Sequence, residues 1–415
     1  MKHLRRHLTG RVHEALDDTR IVVVQGARQV GKTTLVREVV TARDGVLVTL
    51  DDGLTRAAAA DDPAGFLAQA PGRMLAIDEV QRVPDLILAL KLAADRDPHP
   101  GRFLLTGSAN LLRLPAMHDS LAGRAENVDL HGFSQGELDG HQERFVDRLL
   151  SGDTFLGHLS TLHRHDYLVR ACAGSYPEAL GRSAGRRRSA WYDNYLQRII
   201  EHDAADVSSL QRLAELPTLL RLLAARNATE LNVSGIANDA GIPVRTLDPY
   251  LGLLETLFLM HRIPAWSTNL SKRVVSRPKA ALLDTGLAAR LVNVSAQGAG
   301  TEGSPDLAGQ LLEGFVVGEI RRQLGWSEET PHIWHYRDHG GAEVDLVLET
   351  DDGRVAGIEI KATAAVTAKD TRWLQQMRDR LGRRFVAGVV LHTGQISAPF
   401  GARIAAVPMD ALWTT

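Results

Sequence analysis

The chain has a single cysteine, Cys172, among 415 residues. A lone thiol forms no intramolecular disulfide, so a reducing, cytoplasmic compartment is the expectation, and Cys172 reads as a core residue rather than a nucleophile. Long apolar runs are also missing. None approaches the roughly 18 residues of a membrane-spanning helix, and mean hydropathy is -0.12, so no membrane is expected among the partners. The basic N-terminus from Met1 to Arg11 lacks an apolar segment and reads as an amphipathic helix, not an export signal. Lysine is scarce, 7 of 48 basic residues. In a chain that favours arginine so strongly, a retained lysine marks a position where a compact ammonium resists replacement by a planar guanidinium. Excess charge of one sign is absent too: 48 basic against 50 acidic residues leave a net charge of -2, so any nucleic-acid binding must come from local patches. What is present, 44% hydrophobic and 24% charged residues, excludes global disorder and suits two to four domains.

Strand and helix alternate over the first 130 or so residues. The run Ile21 to Val24 reads as a strand buried on both faces, followed by a helix from about Lys32. Val46 to Leu50, Met74 to Ile77 and Arg102 to Thr106 are further buried strands, so a parallel α/β sheet is expected. Helical periodicity then takes over to about residue 228. Val233 to Ala240, a turn at Gly241-Ile242, and Pro243 to Leu257 have helix-turn-helix spacing, with Lys272, Arg273, Arg277 and Lys279 where the hairpin of a winged helix would lie. Pro249 should kink the second helix, and the unit suits DNA contact or protein packing alike. After a linker near Gly298 to Pro305 comes a helix, three strands, a helix and a strand, ending at His392. The expected domains are 1–140, 141–212, 213–290 and 291–415.

Gly26-Ala27-Arg28-Gln29-Val30-Gly31-Lys32-Thr33 matches G-x-x-x-x-G-K-[ST] between a buried strand and a helix, as phosphate binding requires. The loop, with Thr34 after it, would wrap ATP phosphates in backbone N–H groups; Lys32 would reach the β and γ phosphates, and Thr33 would ligate Mg²⁺. A hydrophobic strand then ends in Asp78-Glu79. Asp78 would hold the Mg²⁺ shell and Glu79 would orient and deprotonate the attacking water, which favours hydrolysis over mere binding. Ser108 is the candidate γ-phosphate sensor, with Asn110 second; a helix N-cap is the other reading of Ser108. Arg124 suits either an arginine finger presented to a neighbouring subunit or a surface ion pair.

In the last 125 residues, Glu343 and Asp345 lie two apart on one strand, as do Glu359 and Lys361 on the next, so each pair shares a face while Val344, Leu346, Ile358 and Ile360 point into a core. The spacing D-x(13)-E-x-K is the carboxylate and lysine arrangement of the restriction-endonuclease-like fold, in which a divalent ion activates water beside a phosphodiester. The same charges also suit a relic of that fold surviving as surface pairs. His163, His165 and Asp166 read as a solvated helix start rather than a metal site.

Together Gly26 to Thr34, Ile77 to Gln81, Leu105 to Ser108, Gly123-Arg124, Gly174 to Glu178, Asp284 to Leu287, and the Glu343-Val-Asp345 and Glu359-Ile-Lys361 pairs resemble the bacterial and archaeal AAA-type ATPases that carry a C-terminal domain of unknown function with a nuclease-like fold. The resemblance implies an α/β fold: a P-loop ATPase sheet, a helical lid, a winged-helix element and a restriction-endonuclease-like C-terminal domain, with Glu313 as an additional acid on the preceding helix. The expected activity is Mg²⁺-dependent ATP hydrolysis coupled to nucleic acid, DNA favoured, in a homo-oligomer. The alternatives are a nucleotide-operated switch binding a protein partner through its winged helix, and an ATP-regulated nuclease with a second divalent metal at the C-terminal domain.

Overall fold

The computed structural model describes residues 4–108, 121–204, 213–300, 305–338 and 340–415. The N-terminal strands are β1 (Ile21–Gln25), β2 (Val46–Thr49), β3 (Leu75–Asp78), β4 (Phe103–Gly107) and β5 (Ala125–Asp129). They form one parallel sheet in the order β2-β3-β4-β1-β5. Every residue of β1 is buried because both faces are covered: Val22 and Val24 pack with the helix Lys32–Ala42 on one side, Ile21 and Val23 with the helix Leu86–Arg96 on the other. The P-loop therefore leaves the C-terminal end of β1, an inner strand, and β4, the middle strand of the five, sits between it and β3. That order carries the end of β4 into the phosphate-binding side of the sheet.

The helical expectation for the next segment holds over its described part, with helices Phe145–Leu150, Arg164–Ala173 and Arg186–Arg198. The last of these runs into a π-helical turn, Ile199–Asp203. The N-terminal helix begins only at Thr9, so His7 lies ahead of it, contrary to the reading of Met1 to Arg11 as helical. Arg6 enters the interior instead and donates to Val30 O at 2.8 Å, bracing the P-loop.

The middle unit has helices Leu216–Ala225, Val233–Ala240 and Val244–Thr256 with strands β6 (Thr229–Glu230), β7 (Met260–Ile263) and β8 (Lys279–Leu282), in the sheet order β6-β8-β7. The Val244–Thr256 helix carries Pro249 in its interior. The expected basic hairpin is corrected in two places. Leu270–Val275 is a helix, and Arg273 stacks over Trp266 and Trp334 while pairing with Glu349, so it is spent on packing. Lys279 is buried.

The C-terminal unit is a six-stranded mixed sheet of β9 (His332–Arg337), β10 (Glu343–Glu349), β11 (Val355–Lys361), β12 (Phe385–His392), β13 (Ala398–Pro399) and β14 (Ile404–Pro408), ordered β13-β14-β12-β11-β10-β9. Helix Pro305–Gln323 covers one face through Leu312, Val316 and Ile320, and helix Ala368–Leu381 covers the other through Leu374 and Met377. The sequence reading missed β13 and β14. It also placed Val344 with Leu346; a register shift between Val344 and Val347 breaks the alternation, and Val344 and Val347 share one apolar cluster while Leu346 and Leu348 join the other.

Candidate functional site

The P-loop residues sit as their sequence order requires. A Cβ at Gly26 would lie 2.0 Å from Leu130 O, so only glycine lets the loop pass this close to the backbone that follows β5. Lys32 opens the helix behind the loop and is only 5% exposed. Its ammonium donates to Gly26 O and Ala27 O, each at 3.0 Å, and burial lowers it to about 8 against the opposing pull of Glu79 and Asp78. A buried cation aimed at the inside of a glycine-started loop is the donor that phosphate oxygens need. Thr33 Oγ1 lies 3.1 Å from both oxygens of Asp78. One hydroxyl and one carboxylate at this separation give hard oxygen ligands of the kind Mg²⁺ takes, so the residues present fit Mg²⁺ and a nucleotide.

Thr106, which the sequence reading passed over in favour of Ser108, is the central positioning group. Its hydroxyl donates to Asp78 Oδ1 at 2.5 Å and accepts from Glu79 N at 3.0 Å. Its position at the end of β4, next to β3, was the available signal. Glu79 occupies the left-handed region at φ 59° and ψ 47°, an arrangement that costs about 1–3 kcal/mol for a residue other than glycine and points to a functional constraint. The Gln81 amide donates to the Glu79 carboxylate and, at 3.0 Å, to Ser108 Oγ. Ser108 therefore joins Glu79 through Gln81. Asn110 lies outside the described residues.

Arg28 leaves the loop towards the helical unit. Its guanidinium grips Asp203 in the π-helical turn, Nε to Oδ2 at 2.7 Å and the second nitrogen to Oδ1 at 2.6 Å. Arg124 pairs with Asp95 at 2.6 and 3.0 Å, the surface-pair reading. It stands just before β5, and its carbonyl accepts from Ile21 N at the start of β1. The P-loop follows the other end of β1, so Arg124 lies at the edge of the sheet opposite its own phosphate site.

Two motifs without an assigned task meet in the helical unit. Asp284 caps the helix Thr285–Leu291, accepts from Ser175 N and Ser175 Oγ at 2.7 Å each, and accepts from the Tyr192 hydroxyl at 2.9 Å. Tyr192 shares its helix with Tyr195, whose hydroxyl donates to Arg28 O at 3.4 Å. His163 and Asp166 form the capping box of a helix start; Cys172 is half-buried at the margin of the core, and burial raises its thiol to about 11.

The C-terminal acids do gather. Asp345 Oδ2 accepts from Ile360 N at 2.9 Å, the Glu359 and Asp345 carboxyls are within hydrogen-bonding reach, and Lys361 Nζ donates to Glu359 Oε2 at 3.2 Å. The unforeseen member is Lys279, whose ammonium lies 2.7 Å from Glu313, 3.2 Å from Glu343 and 3.4 Å from Asp345. Of these three acids Asp345 is buried, while Glu313 and Glu343 are partly exposed. Burial and the Asp345 charge push Glu313 up to about 8, and burial with Asp345 pushes Glu359 well above the usual carboxylate range. Among the described residues no group of His, Cys, Asp and Glu has the geometry of a metal centre, so the expected second metal has no preformed site. Beside the cluster is a groove of about 740 Å³ lined by Arg277, Arg337, Arg380 and Tyr336 together with Glu230, which pairs with Arg337 at 3.4 Å, and Asp338.

Among the described residues no helix is long and apolar enough to cross a membrane. Residues 18–139 match the AAA domain family, 164–298 a domain of unknown function (DUF8612) and 308–412 a second domain of unknown function (DUF4143). Uncharacterized proteins of Mycobacterium bovis and Mycobacterium tuberculosis are each 28% identical over 413 residues, covering 99% of this chain and 85% of theirs. The Aeropyrum pernix ORC2 protein, solved in ADPNP and ADP complexes, overlaps 74% of this chain and 92% of its own at 14% identity and a TM-score of 0.33. A Thermotoga maritima RuvB variant overlaps 62% of this chain and 89% of its own at 16% identity and a TM-score of 0.24. Those two overlaps are too poor to carry an argument. The AAA-domain match falls on the residues that build the phosphate-binding geometry and supports an AAA-type P-loop ATPase domain, followed by a C-terminal domain of unknown function.

Proposed function

We propose that the chain is an Mg²⁺-dependent ATPase whose nucleotide cycle is coupled to nucleic acid. The observation that carries the reading is the Thr33–Asp78–Thr106–Glu79 set, in which one threonine fixes both carboxylate-bearing residues. Mg²⁺, when bound, supplies charge neutralisation at the β and γ phosphates. Thr33 and Asp78 would hold it, Lys32 would exchange its carbonyl partners for phosphate oxygens, and Glu79 would take the proton of the attacking water. Gln81 holds the Glu79 carboxylate and links it to Ser108, so a change at Ser108 is passed to the base. Arg124, remote from its own P-loop, acts on a neighbouring subunit in a homo-oligomer; a monomer with full ATPase activity in light scattering would remove that inference.

Nucleic acid, DNA in preference, is supported by the groove beside β9: Arg277, Arg337 and Arg380 suit phosphates and Tyr336 suits a base. The acid and lysine set supports a further reading, an ATP-regulated nuclease using Asp345, Glu359 and Lys361, with Glu313 as the additional acid. The test is steady-state Mg-ATP hydrolysis by wild type and Glu79→Gln, with and without single- and double-stranded DNA. DNA-stimulated turnover that vanishes in Glu79→Gln is expected. Turnover that ignores DNA would move the assignment to a nucleotide-operated switch acting on a protein through the middle unit. Mg²⁺- or Mn²⁺-dependent nicking lost in Asp345→Ala would support the nuclease reading.

A further inference from the structure

Lys279 belongs by sequence and by main-chain pairing to the middle unit, where β8 sets it opposite both Ile263 and Glu230. Its side chain ends elsewhere, in the acids of the C-terminal unit, and the residue is 2% exposed. An ammonium has three N–H donors, and three carboxylates converge on this one: Glu313 from the covering helix, Glu343 and Asp345 from β10. The spacing of 2.7 to 3.4 Å is that of hydrogen bonds. Mg²⁺ would need its oxygens at about 2.0–2.1 Å. The cluster is thus built around a cation, and the cation in it belongs to the chain.

A second observation points to a ligand beyond the lysine. Glu359 is 4% exposed, and its Oε1 is buried with no hydrogen-bond partner among the described residues. Its carboxyl lies against that of Asp345, while its other oxygen faces Lys361. A buried carboxylate oxygen without a donor is costly unless a proton or cation reaches it. Withdrawing Lys279 would leave the buried Asp345 and Glu359, with the partly exposed Glu313 and Glu343, as converging oxygen donors faced by Lys361 alone, short of positive charge that protons or a hard cation would supply.

We propose that Lys279 is an intramolecular plug: its ammonium holds the place of a divalent cation among Glu313, Glu343, Asp345 and Glu359, and the site takes Mg²⁺ or Mn²⁺ when β8 draws the lysine away. This rests on the reading of the C-terminal acids as a nuclease-like set and adds how that set is kept closed. The plug is held by more than its own contacts. Directly beside it, His335 N donates to Pro264 O at 3.0 Å and Trp266 N to His335 O at 2.6 Å, stitching the middle unit to β9. At its other end β8 leads to Asp284, bonded to Ser175 and Tyr192, and the helix of Tyr192 runs on to the Asp203 grip on Arg28. A shift of the lid that follows the nucleotide would therefore pull on the strand that carries the plug.

The experiment is Mn²⁺ binding without nucleotide, followed by the electron paramagnetic resonance of the free ion, on full-length wild type, Lys279→Gln and Lys279→Gln/Asp345→Asn. Lys279→Gln is expected to bind one Mn²⁺ at least tenfold more tightly than wild type, and the double variant to lose it. A folded Lys279→Gln with wild-type Mn²⁺ binding, or tightened binding that survives Asp345→Asn, overturns the plug. Should the variant fail to fold, acetylation of Lys279 in wild type decides: labelling should rise at least fivefold in saturating Mn²⁺, and unchanged labelling overturns the proposal. Nicking of supercoiled DNA by the same samples separates the two readings. Tight Mn²⁺ binding by Lys279→Gln without nicking removes the nuclease and keeps the plug, whereas nicking by wild type with no Mn²⁺ gain in Lys279→Gln removes the plug and keeps the nuclease.

Discussion

Arg28 of the phosphate-binding loop and Asp203 of the π-helical turn form a two-pronged ion pair, at 2.7 and 2.6 Å, that ties the nucleotide site to the helical unit. Both side chains are largely buried, 22% and 7% exposed, so the pair is worth more than a surface bridge. Asp203→Ala and Arg28→Ala should each lower nucleotide-free stability by about 1.5–3 kcal/mol in urea unfolding. The double variant should cost well short of their sum; costs that simply add would mean the two residues do not act as a pair.

Thr106 holds the Asp78 carboxylate and the backbone N–H of Glu79 with one hydroxyl. Thr106→Val keeps the shape and deletes the hydroxyl, so kcat for ATP should fall roughly 10- to 100-fold while KM moves little, because the phosphate contacts of Lys32 and the loop are untouched. A larger change in KM than in kcat would assign Thr106 to binding instead.

Lys32 gives a pH signature. Its ammonium is lowered to about 8 in the folded protein from an unfolded value of 10.5, so between those values the unfolded chain binds the extra proton. The charge costs stability below about pH 8, and the cost is relieved as pH rises towards 10.5. Lys32→Met should therefore melt higher than wild type at pH 7 without nucleotide, and the gap should narrow by pH 10. A gap that is constant across this range would assign it to packing rather than charge.

Glu313 has the opposite dependence. Raised to about 8 from 4.5, it favours the folded state most at low pH and loses that contribution as pH rises through 8. The urea midpoint of wild type should decline between pH 5 and 8.5, and Glu313→Gln, neutral throughout, should decline less. Parallel curves would mean that Glu313 stays ionised beside Lys279.

The nucleotide site was legible because its chemistry is local. A glycine-bounded loop with Lys32 and Thr33, and a strand ending in Asp78-Glu79, are short runs whose spacing is set by one turn or one strand end. Thr106 was harder to see: its role comes from β4 lying between β1 and β3, and strand order is not written in any single segment. The C-terminal acids were found by period-two spacing. That same rule misplaced Val344, since a register shift leaves no mark in an alternating pattern. Lys279 was read as a wing residue from its neighbours, and only the long-range pairing of two sheets brings it to Glu313. Arg6, which also donates to Glu137 Oε1 at 3.0 Å, and Asp203, held by Arg28, act across more than a hundred residues of chain, where spacing carries no information.

The Tyr192 hydroxyl has a consequence for descent. It sits where a Cβ would fall at two glycines, 2.0 Å from that of Gly174 and 2.2 Å from that of Gly286. None of the three positions is free to vary alone: an alanine at Gly286 demands a smaller residue at 192, and losing the tyrosine oxygen strips a donor from Asp284. Homologues should therefore change these sites as a set or keep all three, and a lineage in which 192 is not tyrosine is the place to look for a side chain at 286.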